Sequence, residues 1–132
     1  MDAAAAQAVF AAPWRNVTIT PLDSCGTVVL RNGLYRQVID SDKPVPGLIA
    51  ENYRVWLGGN VAKWESESSI LYDTVAVYLA FADELLEMRK LKLIIDDEGF
   101  TRIDESGREV DAAIGWKQEA AFNELLVSYL LA

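Results

Sequence analysis

Between residues 122 and 131, seven of ten positions are apolar: Phe122, Leu125, Leu126, Val127, Tyr129, Leu130 and Leu131. Set on a helix, these residues occupy nearly every side, so the helix has no face to give to water and must be covered on most of its surface. The cover comes from the rest of the chain or from another subunit. With 132 residues, 52% of them apolar and 24% charged, the chain holds enough apolar material for the core of one domain. That balance excludes disorder, collagen-like repeats and a two-lobed enzyme. A second copy is the expected cover for the surplus. Phe122, Leu126, Tyr129, Leu130 and Leu131 are the expected oligomer interface.

The chemistry open to such a chain is narrow. There is no histidine and a single cysteine, Cys25. The commonest general base, the commonest zinc ligand and the base of every Ser-His or Cys-His nucleophile are missing together. Ser24-Cys25-Gly26 lacks a partner to activate the thiol, so Cys25 reads as a small buried residue. One cysteine closes no intrachain disulfide and builds no thiolate metal site, and a reducing compartment is the default. Gly58-Gly59-Asn60 lacks the Lys-Ser/Thr of a phosphate loop. The expectation is a protein that is not an enzyme, with no catalytic residues, no cofactor and no metal. The apolar run 3–12 contains Gln7, follows Asp2 and is too short to span a bilayer, so it reads as a helix and not as a signal peptide or membrane span.

Local patterns predict the elements. Asp2 ahead of the alanine run predicts a capped helix over 2–11, stopped by Pro13. Residues 16–20 alternate and are β-branched. Segments 27–31 and 34–39 flank Asn32-Gly33, a dipeptide that tolerates the positive φ of a tight hairpin. Residues 1–39 are therefore expected to hold a helix and a small antiparallel hairpin sheet. Residues 40–47, carrying Pro44 and Pro46, read as a connector. A helix from 48 to about 57 is expected to break at Gly58-Gly59 and continue briefly to Trp64. Over 66–90, Leu71, Val75, Tyr78, Ala82 and Leu85 recur at steps of four and three, while Asp83, Glu84 and Glu87 fall off the stripe; a long amphipathic helix is expected. Residues 93–95 and 100–103 around Asp96-Asp97-Glu98-Gly99 predict a hairpin over 92–103 with Gly99 in the left-handed position. Residues 107–131 predict a final helix capped by Asp104 or Ser106. The sum is one α+β domain over 1–132. Its N-terminal hairpin sheet packs on three main helices within a helical part at 48–132, with the second hairpin between the last two.

Charge is uneven. Residues 1–66 are balanced, and the whole net charge of −8 sits in residues 67–132. A field of that sign opposes phosphate at long range, so DNA contact is expected only through a ring that gathers Arg31, Arg36 or Arg54. Asp96, Asp97, Glu98, Asp104 and Glu105 form the candidate acidic recognition surface. Their spacing does not fit a calcium loop, and Asp96 to Glu98 reads as a solvated turn. The tryptophans Trp14, Trp56, Trp64 and Trp116 lack interleaved basic residues and read as core or interface.

The run LYDTVAVYLAFADELLEMRK, then LIIDDEGFTRIDESGRE, then AAIGWKQEAAFNELL resembles the tail of small terminase subunits of tailed phages. The matching positions are Asp73, Tyr78, Phe81, Gly99, Gly107, Gln118 and Leu125, over about 60 residues. The resemblance implies a non-catalytic homo-oligomeric ring that recognises viral DNA and regulates a packaging motor, working with other phage proteins in the host cytoplasm or the virion. If only the oligomeric character carries over, it implies a head-tail connector or neck protein, a group that commonly pairs a small sheet with helices. The competing reading from charge alone is an acidic inhibitor or immunity-type protein that covers a basic nucleic-acid site on a partner.

Overall fold

The structure is a computed structural model that describes residues 2–58 and 66–132. Among these are six helices and one four-stranded mixed sheet, an α+β arrangement. In chain order they are α1 (Ala3–Ala11), β1 (Thr18–Ile19), α2 (Leu22–Cys25), α3 (Asn32–Ile39), α4 (Pro44–Trp56), α5 (Tyr72–Leu79), β2 (Leu86–Ile95), β3 (Thr101–Ile103), β4 (Arg108–Trp116) and α6 (Glu119–Leu130). No helix among the described residues is long and apolar enough to cross a membrane.

The sheet order is β1-β4-β2-β3, with β1 parallel to β4 and the other pairs antiparallel. Its two long strands, β2 and β4, alternate apolar residues to opposite sides. Leu91, Leu93, Val110, Ala112 and Ile114 meet Phe10 of α1 on one face. Leu86, Met88 and Ala113 meet Val28, Val75, Tyr78 and Phe122 on the other. The register shifts between Glu87 and Met88, leaving Ile114 without a partner. This bulge reverses the alternation, so Trp116 lands on the helix side although Ile114, two residues earlier, faces α1. There the Trp116 ring lies 4.8 Å from that of Phe122, and its indole N–H donates to the Ser24 carbonyl at 2.8 Å. A third apolar cluster joins Leu30, Tyr35 and Val38 to Val127, with Leu126, Leu130 and Leu131 packed against it.

Several local expectations hold. Asp2 caps α1 by accepting from the Ala5 amide at 2.9 Å. The second hairpin forms, with Gly99 at φ 87°. Cys25 is buried. After α4, Gly58 takes φ 56°, the left-handed conformation that closes a helix; the expected continuation to Trp64 lies outside the described residues.

Four expectations are corrected. No hairpin forms around Asn32-Gly33: Asn32 does take a positive φ of 50°, but it opens α3. Leu34, Tyr35, Val38 and Ile39 have helical spacing as well as strand composition, and the helical form buries Tyr35 and Val38 against α6. The sheet is accordingly not N-terminal; residues 1–39 contribute to it only the two-residue β1. The connector 40–47 is shorter than expected, since Pro44 opens α4, where its missing N–H costs nothing. The long helix over 66–90 is absent. Residues 68–71 run alongside 28–30 through Ser68 N–H to Leu30 O and Leu71 N–H to Val28 O, α5 covers only Tyr72–Leu79, and the chain is a strand from Leu86. Finally, 107–131 is not one helix, because Arg108–Trp116 is β4 and only Glu119–Leu130 is helical. Asp104 caps no helix; it accepts from the Ser106 amide and hydroxyl in the turn before β4.

Candidate functional site

Helices α5 and α6 lie over the same buried layer and leave a groove between them. On α5, Val75 and Tyr78 point into the core, which turns Thr74 and Val77 to the groove and places Phe81, just past the helix, at its rim. On α6, Phe122 and Leu126 form the floor while Leu125 and Tyr129 form the opposite wall. The groove has a volume of about 560 Å³, and Asp73 is its one charged lining residue.

Its rim is apolar and open to solvent: Val77 is 64% exposed, Phe81 61% and Tyr129 60%. Edge-to-face ring contacts continue from the core to this rim. Phe122 meets Tyr78 at 5.4 Å, Tyr78 meets Phe81 at 5.6 Å, and Phe81 meets Tyr129 at 6.4 Å. The Tyr78 hydroxyl donates to Glu84 at 3.3 Å, and burial pushes its pKa up. The rim side chains are thus held in place by buried aromatics before anything binds, which lowers the ordering cost of association.

The five residues expected at an interface separate here. Tyr129 is on the exposed rim and Leu126 on the groove floor. Phe122 is 2% exposed and belongs to the core, reaching the groove only as part of its floor. Leu130 and Leu131 face the other way, onto the cluster around Tyr35 and Val38. The chain's own α3 and α5 therefore supply most of the cover that a second subunit was expected to give. Thr74 and Val77 were not expected in a site, yet with Phe81 they recur at steps of three and four, a second apolar stripe beside the stripe of Val75 and Tyr78. Of the positions that carry the terminase resemblance, Asp73, Tyr78, Phe81 and Leu125 line the groove.

The five acidic residues fall in two turns, one at each end of the three-residue β3. Asp96, Asp97 and Glu98 form the β2–β3 turn, whereas Asp104 and Glu105 lie at the opposite end of β3. Asp96 accepts from the Glu98 and Phe100 amides and from Arg102 at 2.8 Å, and the guanidinium holds its carboxyl below the usual range. The Ser106 hydroxyl and amide lower that of Asp104 in the same way. Glu105 pairs with Lys92 at 3.0 Å, and Asp97 accepts from Gln7 at 3.3 Å. Among the described residues, no three acidic or cysteine side chains are grouped as metal ligands. Arg31, Arg36 and Arg54 pair with Glu67, Asp40 and Glu51 respectively. Ser24, next to Cys25, donates its hydroxyl to the Ala113 carbonyl at 2.6 Å and ties α2 to β4.

No known protein family model matches the chain, and neither does any characterised protein sequence.

Proposed function

We propose that this protein is a non-enzymatic assembly subunit of phage type that associates with further copies of itself through the α5–α6 groove. The observation that carries the reading is the exposed rim of Val77, Phe81 and Tyr129, continuous with the core and carrying almost no charge. In a chain of net charge −8, copies repel over most of their surface; a nearly neutral apolar strip is where they approach at least cost. Of the two roles the C-terminal resemblance implies, a head-tail connector or neck subunit fits better than a helical packaging ring, because a sheet stands where the long helix was expected. The acidic-inhibitor reading asks for free carboxylates, and Asp96 and Asp104 are engaged within local turns.

The test is Phe81→Asp together with Val77→Asp, each at an exposed position that leaves the core intact. Light scattering is expected to show each variant losing mass relative to wild type, with unchanged circular dichroism. Wild-type mass in both would remove the groove from the assembly.

A further inference from the structure

Strand β2 has ten residues, but its outer neighbour β3 pairs only with Leu93, Ile94 and Ile95. Before Lys92, β2 is hydrogen-bonded among the described residues on one side alone, to β4. Two contacts decide which residues face the open side. The Asp111 amide donates to the Val17 carbonyl, and the Ala113 carbonyl accepts from Ser24, so both β4 residues turn their backbone groups away from β2. Their register partners, Lys90 and Met88, therefore turn theirs away from β4. Lys92 agrees, since its carbonyl accepts from the Asp104 amide on the β3 side. Among the described residues, no other element hydrogen-bonds the N–H groups of Met88 or Lys90. An open strand edge is a template for another strand.

The side chains along this edge decide which strand it takes. Four are charged: Glu87, Arg89, Lys90 and Lys92. Lys90 is paired with Glu109 and Asp111, and Lys92 with Glu105. Glu87 and Arg89 are exposed and make no ion pair among the described residues. They are opposite in sign and two positions apart, hence on one face of the strand.

We propose that the open edge of β2 pairs antiparallel with the same edge of a second copy, about a two-fold axis at Met88. Directly opposed residues then sit within side-chain reach. A centre at Glu87, Arg89 or Lys90 sets a charge against its own copy, which opposes pairing. A centre at Met88 sets Met88 against Met88 and Glu87 against Arg89 twice over. The Met88 N–H and C=O exchange bonds with those of the second copy, and each Lys90 N–H donates to the opposing Leu86 carbonyl. The product is one continuous sheet through two protomers. This surface is separate from the α5–α6 groove and stands whether or not the groove associates. With both in use, a protomer has two self-association surfaces and assemblies larger than a dimer follow.

The test uses full-length Phe81→Asp, in which groove association is removed, with sedimentation equilibrium at low ionic strength and hydrogen exchange at the Met88 and Lys90 amides. Self-association is expected, with both amides exchanging more slowly as concentration rises. Glu87→Arg alone and Arg89→Glu alone each turn two attractive oppositions into repulsive ones and should weaken the dimer by roughly tenfold or more. The double swap restores the oppositions and should recover wild-type affinity, while Lys90→Pro, which removes a donor on the open edge, should abolish the dimer. The proposal is overturned if exchange at the two amides is independent of concentration, if either single swap associates as tightly as its parent, or if the double swap stays as weak as the singles.

Discussion

Neighbouring prolines at Arg89 and Lys90 distinguish a strand edge from a helix at the one stretch where sequence pattern and structure disagree most. Both residues are exposed, so neither substitution opens a cavity. Arg89 is in register with Ala112, in the pair whose backbone groups face each other across β2 and β4. Arg89→Pro removes a ladder donor and strands the Ala112 carbonyl, on a residue that is 1% exposed. An unsatisfied buried carbonyl costs about 1–3 kcal/mol, and the ring's intrusion on β4 adds to it. At about 4 °C per kcal/mol for a domain of this size, Tm should fall by roughly 4–12 °C or more. Lys90→Pro removes an N–H that faces the open edge and gives up only solvent-screened ion pairs, so Tm should stay within about 4 °C of wild type. In a helix over 66–90 both prolines would cost about 3 kcal/mol each. Thermal unfolding followed by tryptophan fluorescence reads the difference, and equal destabilisation by the two prolines would refute the edge-strand assignment.

Other perturbations bear on different parts of the structure. Leu86 is fully buried between β2 and the helices, so Leu86→Ala should cost about 3–5 kcal/mol in urea unfolding; a loss below about 1 kcal/mol would contradict that packing. A Cβ on Gly107 would sit 2.4 Å from the Leu93 carbonyl oxygen, so Gly107→Ala should push the β3–β4 turn off β2 and lower stability by about 1–3 kcal/mol. Burial, with Tyr53 adding and Arg36 opposing, pushes the Tyr35 pKa up to about 12 from the ordinary 10.0. A raised folded-state value means that the neutral phenol's contribution is complete below pH 10 and is lost as pH rises toward 12; Tyr35→Phe should flatten that alkaline limb, and an unchanged limb would exclude Tyr35 as its source. Asp96 has the opposite sign: its lowered pKa gives stability that is present above the ordinary 3.8 and lost as pH falls below it. Protection of the Glu98 and Phe100 amides, corrected for the intrinsic exchange rate, should fall in that acid range in wild type and should not vary with pH there in Asp96→Asn.

Much of this fold was legible where a signal is local. The Asp2 cap, the Gly99 turn and the end of α4 each depend on one or two residues whose backbone preference no distant contact overrides. The errors arose where a local pattern admits two backbones. Leu71, Val75, Tyr78, Ala82 and Leu85 all do reach the helix-side core, so the stripe over 66–90 identifies the buried side correctly. It cannot reveal that the chain leaves the helix after Leu79, because the strand from Leu86 is specified by its pairing with β4, whose residues lie 15 to 30 positions further along the chain. Asn32-Gly33 shows the same ambiguity: positive φ is present, but packing of Tyr35 and Val38 on α6 selects a helix. The groove was half visible. The density of apolar residues at 122–131 pointed to Leu126 and Tyr129, while α5's second stripe was hidden under the stronger periodicity of its buried face.

Self-association through an apolar face would show itself in the solution mass of the protein. Light scattering on the wild-type protein at micromolar concentration, across a salt series, should give a mass above the 14.6 kDa of one chain. That mass should persist at high salt, where interactions between exposed charges are screened but apolar burial is not. A mass of one chain at every salt concentration would exclude self-association through that face.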